Sequence, residues 1–304
     1  MMNTCKAVLA AVLLIATDGC SIRRMAVNRI GSALASSGAT FSSDNDAALV
    51  RDAVPFSLKL MESLLAESPR HRQLLLAACR SFTQYSYAFL QQEADQREDR
   101  DLAEAKVLRT RAQKMYLRAR DYGLRGLEVG HPGFRNILRI DPKSAARAVR
   151  TRAEVPLLYW TASAWGLAIA LSKDDPDVVA DQLQVEALID RALQLFPSFE
   201  SGAIHGFLVS YEAARQGAQG PAASRAREHF DQAVALSEGR LASPYVALAE
   251  SVSVAAQQRG EFEELLKKAL AVDTDARPEW RLENLVMQRR ARWLLARTDR
   301  LFVE

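Results

Sequence analysis

Ala226-Arg227-Glu228-His229-Phe230-Asp231-Gln232-Ala233 decides how this chain is read. A small residue is followed four positions on by a bulky one, and three further on by alanine. At 3.6 residues per turn these three share one helical face. Alanine lets a neighbouring helix come close, and the bulky residue fills the groove between them. The arrangement returns at Ala112, Tyr116 and Ala119, and at Val185, Ile189 and Ala192 with Pro197 beyond. Phe262, Leu266 and Ala269 keep the spacing with a larger first residue; Ser57, Met61 and Leu64 with Pro69 fit more loosely. Helices of this kind cannot bury their apolar sides alone and must stack.

The spacing is that of the second helix of a tetratricopeptide repeat, whose period is about 34 residues. Here the third positions, Leu64, Ala119, Ala192, Ala233 and Ala269, lie 55, 73, 41 and 36 apart. The Trp and Leu-Gly signature of the first helix is missing. The pattern predicts an all-α fold, an α-solenoid of degenerate tetratricopeptide-like helical hairpins carrying insertions. An ordinary amphipathic bundle is the alternative and is equally helical.

The rest of the sequence agrees. Ala, Leu, Arg, Glu and Gln dominate, and alternating β-branched runs are absent. The fourteen Gly and ten Pro of the 304 residues stand mainly between periodic stretches. Helices are predicted from a cap at Ser43-Asp44 to about 66, then over 71–92 and 99–128. An irregular insert covers 131–151, with a short helix at 143–149. Further helices follow near 154–172, 181–196, 199–216, 222–237, 244–258, 261–272 and 279–299.

The beginning of the chain points to a compartment. Lys6 precedes an uncharged run, Ala7 to Thr17, which is too short to span a bilayer and reads as a signal-peptide core. It ends in Ala16-Thr17-Asp18-Gly19-Cys20, which resembles a bacterial lipobox, although Thr17 stands where Leu is usual and Asp18 is uncommon. Cys20 is therefore the expected lipidation site, with 1–19 as lipoprotein signal peptide, 20–43 as a tether and 44–304 as one helical domain. Ser21 follows Cys20; Asp there is the inner-membrane retention signal of enteric-type sorting, so the outer membrane is favoured. Of the three cysteines, Cys5 leaves with the signal, Cys20 takes the lipid, and Cys79 is left without a disulfide partner. Such a chain must fold on its own core, and 49% hydrophobic residues suffice for one. A formal charge of +3 on 77 charged groups is a mixed surface and gives no nucleic-acid signature.

Motifs for catalysis are missing. There is no G-x-S-x-G, H-E-x-x-H, C-x-x-C or phosphate-binding G-x-x-x-x-G-K, so no enzyme and no cofactor is expected. His71, His131, His205 and His229 are scattered, which argues against a metal site. Cys79 sits in an apolar run and reads as a buried small hydrophobe. Asp174-Asp175-Pro176-Asp177 lacks the alternating ligands of a calcium loop and reads as a helix cap with Pro in the first turn. Arg111, Lys114, Arg118 and Arg125 form one stripe, read as a solvated face. Two aromatic clusters remain as candidates for a cleft that takes an apolar ligand or a partner: Phe82, Tyr85 and Phe89 on one face, and Tyr159, Trp160 and Trp165. Burial in the core is the competing reading of both.

Several stretches together resemble a known family. They are Asp44 to Phe56 (DNDAALVRDAVPF), Gln84-Tyr85-Ser86-Tyr87-Ala88-Phe89, and Arg118-Ala119-Arg120-Asp121-Tyr122-Gly123. Leu158-Tyr159-Trp160 with Ala164-Trp165 follows, then Ala226 to Phe230, and the tail Arg281-Leu282-Glu283-Asn284 with Arg292-Trp293-Leu294-Leu295. Their order over about 40–302 resembles the TatT component family of tripartite ATP-independent periplasmic (TRAP) transporters. The resemblance implies a periplasmic lipoprotein of tetratricopeptide-like hairpins, a homotrimer with a pore or cleft in each subunit. Its implied partner is the periplasmic ligand-binding protein of a TRAP system, which it docks, and it is implied to hold a small apolar molecule. The rival reading is a structural lipoprotein that scaffolds the cell envelope without a ligand.

Overall fold

Asp46 opens the first long helix of the computed structural model, which describes residues 25–303 except 26, 37, 173, 174, 216 and 217. The expected signal peptide, 1–19, and the expected lipidation site, Cys20, lie outside the described residues. The Asp46 carboxylate accepts from the backbone N–H of Ala48 and Leu49 at 3.0 and 2.9 Å, satisfying two otherwise orphaned donors. This helix, α1 (Ala47–Glu67), buries Val50, Leu58, Met61 and Leu65 and stops before Pro69. The cap stands two residues beyond the Ser43-Asp44 expected from sequence.

α2 (Arg72–Tyr85) runs into a π-turn (Ser86–Gln91) and on through Gln92–Arg97. Asp101 then caps α3 (Leu102–Gly130), accepting from the Glu104 N–H at 2.9 Å. The insert after α3 is more ordered than its sequence suggested. It holds α4 (Phe134–Ile140) and α5 (Pro142–Ala148), because Phe134 and Leu138 are drawn into the core and Asp141 caps α5. α6 (Val155–Ala170) is apolar on nearly every face, as befits a helix covered on all sides. α7 (Gln182–Leu195), α8 (Ala203–Tyr211), α9 (Ala222–Leu236), α10 (Ser243–Leu248), α11 (Arg259–Ala271) and α12 (Arg281–Leu295) complete the chain, with a second π-turn (Ala249–Ser253) extending α10. No strand occurs among the described residues.

Sequence neighbours pack in order: α2 on α3, α3 on α6, α6 on α7, α8 on α9 and α10, α10 on α11, and α11 on α12. The positions picked out by the recurring pattern are buried at Ala112, Tyr116, Ala119, Val185, Ile189, Ala192, Ala226, Ala233, Phe262, Leu266 and Ala269. Three apolar clusters result: around α1 and α2, around α6 and α7, and around α10 to α12. α12 then returns to the beginning of the chain. Arg281 donates to the Ser43 carbonyl at 2.7 Å and Arg289 to the Ala88 carbonyl at 2.6 Å. Tyr87 packs against the first and the last of the clusters. In an open array the first and last hairpins do not meet; here the row of helices closes on itself.

The stretch expected to be a tether is helical at 27–36 and 38–42. Leu34 and Phe41 pack against the α1–α2 cluster, and Ser68 Oγ donates to Asn28 Oδ1 at 2.7 Å. These contacts hold polar, small-residue sequence in a helix that propensity alone leaves marginal. The helix expected over 199–216 is broken at its start. Glu200, Ser201 and Gly202 all take left-handed backbone, with φ of 42°, 54° and 96°, and α8 begins only after them.

Candidate functional site

The six aromatic residues singled out in the sequence fall into two groups. Phe82, Tyr85 and Phe89 lie in the core between α1, α2 and α3, with Phe82 against Tyr122 at 5.7 Å and Tyr85 against Phe89 at 5.5 Å. Trp165 is buried under the Arg120 guanidinium, and its indole N–H donates to Asp181 at 3.2 Å. Tyr159 and Trp160 diverge around α6 yet meet edge to face at 5.0 Å. They stand beside three charged groups that the sequence did not mark.

Those groups are Arg80 of α2, Glu200 of the left-handed turn and Glu283 of α12. The Arg80 guanidinium lies 5.2 Å over the Trp160 ring and 3.4 Å from Glu200. Tyr159 packs on Phe199 at 5.3 Å, which sets the turn that carries Glu200. Ser243 Oγ donates to Glu283 at 2.7 Å. A non-glycine residue at φ 42° is strained by about 1–3 kcal/mol, so the surrounding packing must hold Glu200 there.

Glu200 and Glu283 keep exposed surface. Nonetheless the protein around them pushes both carboxyls up, burial being the main cause; Arg80 opposes it in both, and for Glu200 the charge of Glu283 adds to it. The Tyr159 phenol is pushed up in turn by burial, then by Glu200 and Glu283. Both carboxyls are thus exposed side chains at a crowded junction of several elements. The junction is assembled from α2, α6, the 199–201 turn and the starts of α10 and α12, which sequence order separates by up to two hundred positions. A lone Glu on an amphipathic helix carries no such signal, so Glu283 was not findable from its neighbours; a Phe-Glu-Ser-Gly turn after Pro197 was the only local hint of Glu200.

A second constellation closes the ring. Arg290, buried on α12, meets Glu250 of the second π-turn through Nε at 2.8 Å and Asp95 at 3.1 Å. Its neighbour Arg289 meets the first π-turn at Ala88. Arg297 and Arg300 both pair with Asp99. Consecutive arginines of α12 thus bind the two places where helices widen to π geometry, a deviation that often marks functional segments.

Other residues singled out in the sequence are placed as follows. Cys79 is buried, and desolvation pushes its thiol up to about 12. Asp175 caps the turn Pro176–Val179 by accepting from Asp177 and Val178; Lys173 and Asp174 lie outside the described residues. Arg118 and Arg125, read as a solvated face, rest on Phe82 and Tyr122 at 5.6 and 5.4 Å. Among the described residues no group of three or more His, Cys, Asp or Glu is placed to hold a metal ion, and no helix is long and apolar enough to cross a membrane.

A family model described as TRAP transporter T-component matches residues 43–302. A protein of Treponema pallidum (strain Nichols), described as uncharacterized, is 29% identical over 323 residues, which takes in 100% of this chain and 98% of that protein.

Proposed function

Because this chain belongs to the TRAP transporter T-component family, we propose that it is a lipid-anchored periplasmic accessory of a TRAP system, docking the ligand-binding protein and holding a small, largely apolar molecule in a cleft beside Tyr159 and Trp160. The family is one of transporter components and not of enzymes. One observation carries the ligand part of this reading: Arg80 and Glu200 converge beside the paired Tyr159 and Trp160, with Glu283 close enough for its charge to act on Tyr159 and Glu200. Binding sites are commonly concave, aromatic-walled and supplied with a few polar groups that orient the guest. Tyr159 and Trp160 supply the wall; Phe82, Tyr85 and Phe89 belong to the α1–α2 core cluster and Trp165 to the α6–α7 one.

The helical hairpins are taken to be tetratricopeptide-like, and the working form is taken to be a homotrimer. Leu49 and Phe56, seven apart on one face of α1 and 58% and 74% exposed, favour contact with a second copy. Lipidation of Cys20 places the chain on the periplasmic face of a membrane, the outer one by the Ser21 rule.

Native mass spectrometry of the protein co-expressed with its neighbouring ligand-binding protein tests the whole. The expected spectrum contains an acylated Cys20, a threefold assembly, a complex with the binding protein, and a retained small molecule that is lost in Trp160→Ala. Recovery of an acylated chain with neither guest nor binding protein would favour the ligand-free envelope scaffold.

A further inference from the structure

The end of the described chain closest in sequence to Cys20 carries a separate feature, lined by none of the residues of the Tyr159–Trp160 cluster. A groove of about 440 Å³ opens between the 27–36 helical stretch and the corner joining α1 to α2. Asn28, Ser32, Ser68, Arg70, His71 and Arg72 line it, and among the described residues no carboxylate does. Its polar walls are fixed: Ser68 Oγ donates to Asn28 Oδ1 at 2.7 Å, and His71 Nε2 lies 3.1 Å from the Asn28 carbonyl and 3.2 Å from Ser32 Oγ. Arg72 spends one terminal nitrogen on Glu154 at 2.8 Å, while its Nε is buried without a partner among the described residues. Arg70 is exposed.

The rim has a second character. Met25 and Ile30 are 55% and 54% exposed, and Arg29 between them is exposed as well. Apolar tips beside cations suit the bilayer interface, where the tips enter the acyl boundary and the cations meet lipid phosphate. Asn28 is the eighth residue after Cys20, and eight residues span at most about 28 Å. An acyl chain on Cys20 would hold the groove within that distance of the headgroups.

We propose that this groove seats the phosphate of an anionic phospholipid, with Arg70 and Arg72 on the phosphate and Met25 and Ile30 at the acyl boundary. The seat turns the α1–α2 corner toward the membrane and so fixes which face of the ring is offered to a partner. It rests on the reading of Cys20 as the anchor point, and goes beyond it by giving the folded domain a lipid contact of its own.

The test uses the full mature chain carrying Cys20→Ser, so that the domain alone must bind. Flotation is measured with vesicles of phosphatidylcholine alone and of phosphatidylcholine mixed with phosphatidylglycerol. The expected result is binding to the mixed vesicles only, weakened about fivefold by Arg70→Ala, the loss of one cation at the surface. Ile30→Ser weakens it too, and both exposed substitutions leave thermal unfolding unchanged. Equal binding to neutral vesicles, or indifference to both substitutions, overturns the proposal. So does inorganic phosphate that perturbs the His71 ring resonances in a protein that ignores phosphatidylglycerol, since the groove would then be a free-phosphate site. The mass of Cys20 in the wild-type chain reports on the anchor separately: an unmodified Cys20 with intact vesicle binding removes the anchor and leaves the seat.

Discussion

Arg290 shows how much can hang on one side chain. It is 7% exposed and joins α12 to Glu250 and Asp95. Removing one partner of a buried charge network leaves the others uncompensated, at a cost of about 3–5 kcal/mol. Arg290→Ala is therefore expected to lower the urea midpoint by an amount equivalent to that range, whereas a change of under 1 kcal/mol would show the ring to be held elsewhere. Glu283 predicts the opposite sign. Its carboxyl is pushed up by burial, so the folded state holds a proton that the unfolded state has already released. Stability is then lost as pH rises through the folded value and is intact below the unfolded one. Glu283→Gln should stabilise the protein at pH 7, by under about 1 kcal/mol because the group stays wetted and screened. The gain should vanish below about pH 4 in paired thermal melts.

At the scale of helices, close approach and cross-helix pairing decide. α3 and α6 cross at Gly123, where an added Cβ would stand 2.1 Å from Thr161 Oγ1 and 3.0 Å from Cys79 Sγ. Gly123→Ala is expected to cost about 1–3 kcal/mol by overpacking, read from denaturant unfolding. At Gly126 the obstacle is the flexible end of Leu157 at 2.6 Å, so Gly126→Ala should cost less. α8 and α9 are joined by His205 and His229, whose Nδ1 atoms lie 2.9 Å apart, with Glu212 3.9 Å from the far side of the His229 ring. Burial, then the charge of His229, lowers His205 to about 4. The unfolded ring takes up a proton near pH 6.5 while the folded ring refuses it. Stability should fall by on the order of 3 kcal/mol as pH drops from about 6.5 to about 4, and be flat above. His205→Phe should flatten that slope in a pH series of unfolding midpoints.

For the whole molecule, closure changes how the chain comes apart. In open helical arrays each repeat touches only its neighbours, and the ends fray first. Here Arg281, Arg289, Arg290, Arg297 and Arg300 tie the last part of the chain to Ser43, Ala88, Asp95 and Asp99. Amide hydrogen exchange of α12 should accordingly be as slow as that of α6, and Asp99→Ala should speed it locally; fast exchange in α12 of the wild type would mean an open seam. The helices were legible beforehand because their evidence is local: the period of Ala226, Phe230 and Ala233 sits within eight residues, and the Pro and Gly that stop helices sit at their ends. Cys79 was legible as core for the same reason. Legibility ended where contacts span the chain. Tyr159 and Trp160 could be marked as unusual, but nothing near them announced Arg80, Glu200 or Glu283, and the His205–His229 pair was invisible to any i,i+4 search. The amino-acid order fixes backbone hydrogen bonding and apolar periodicity over a few turns. Only three-dimensional packing decides which faces meet, because that choice depends on surfaces up to two hundred residues apart burying one another, and it is this packing that closes the row of helices and brings Arg80, Glu200 and Glu283 together beside Tyr159 and Trp160.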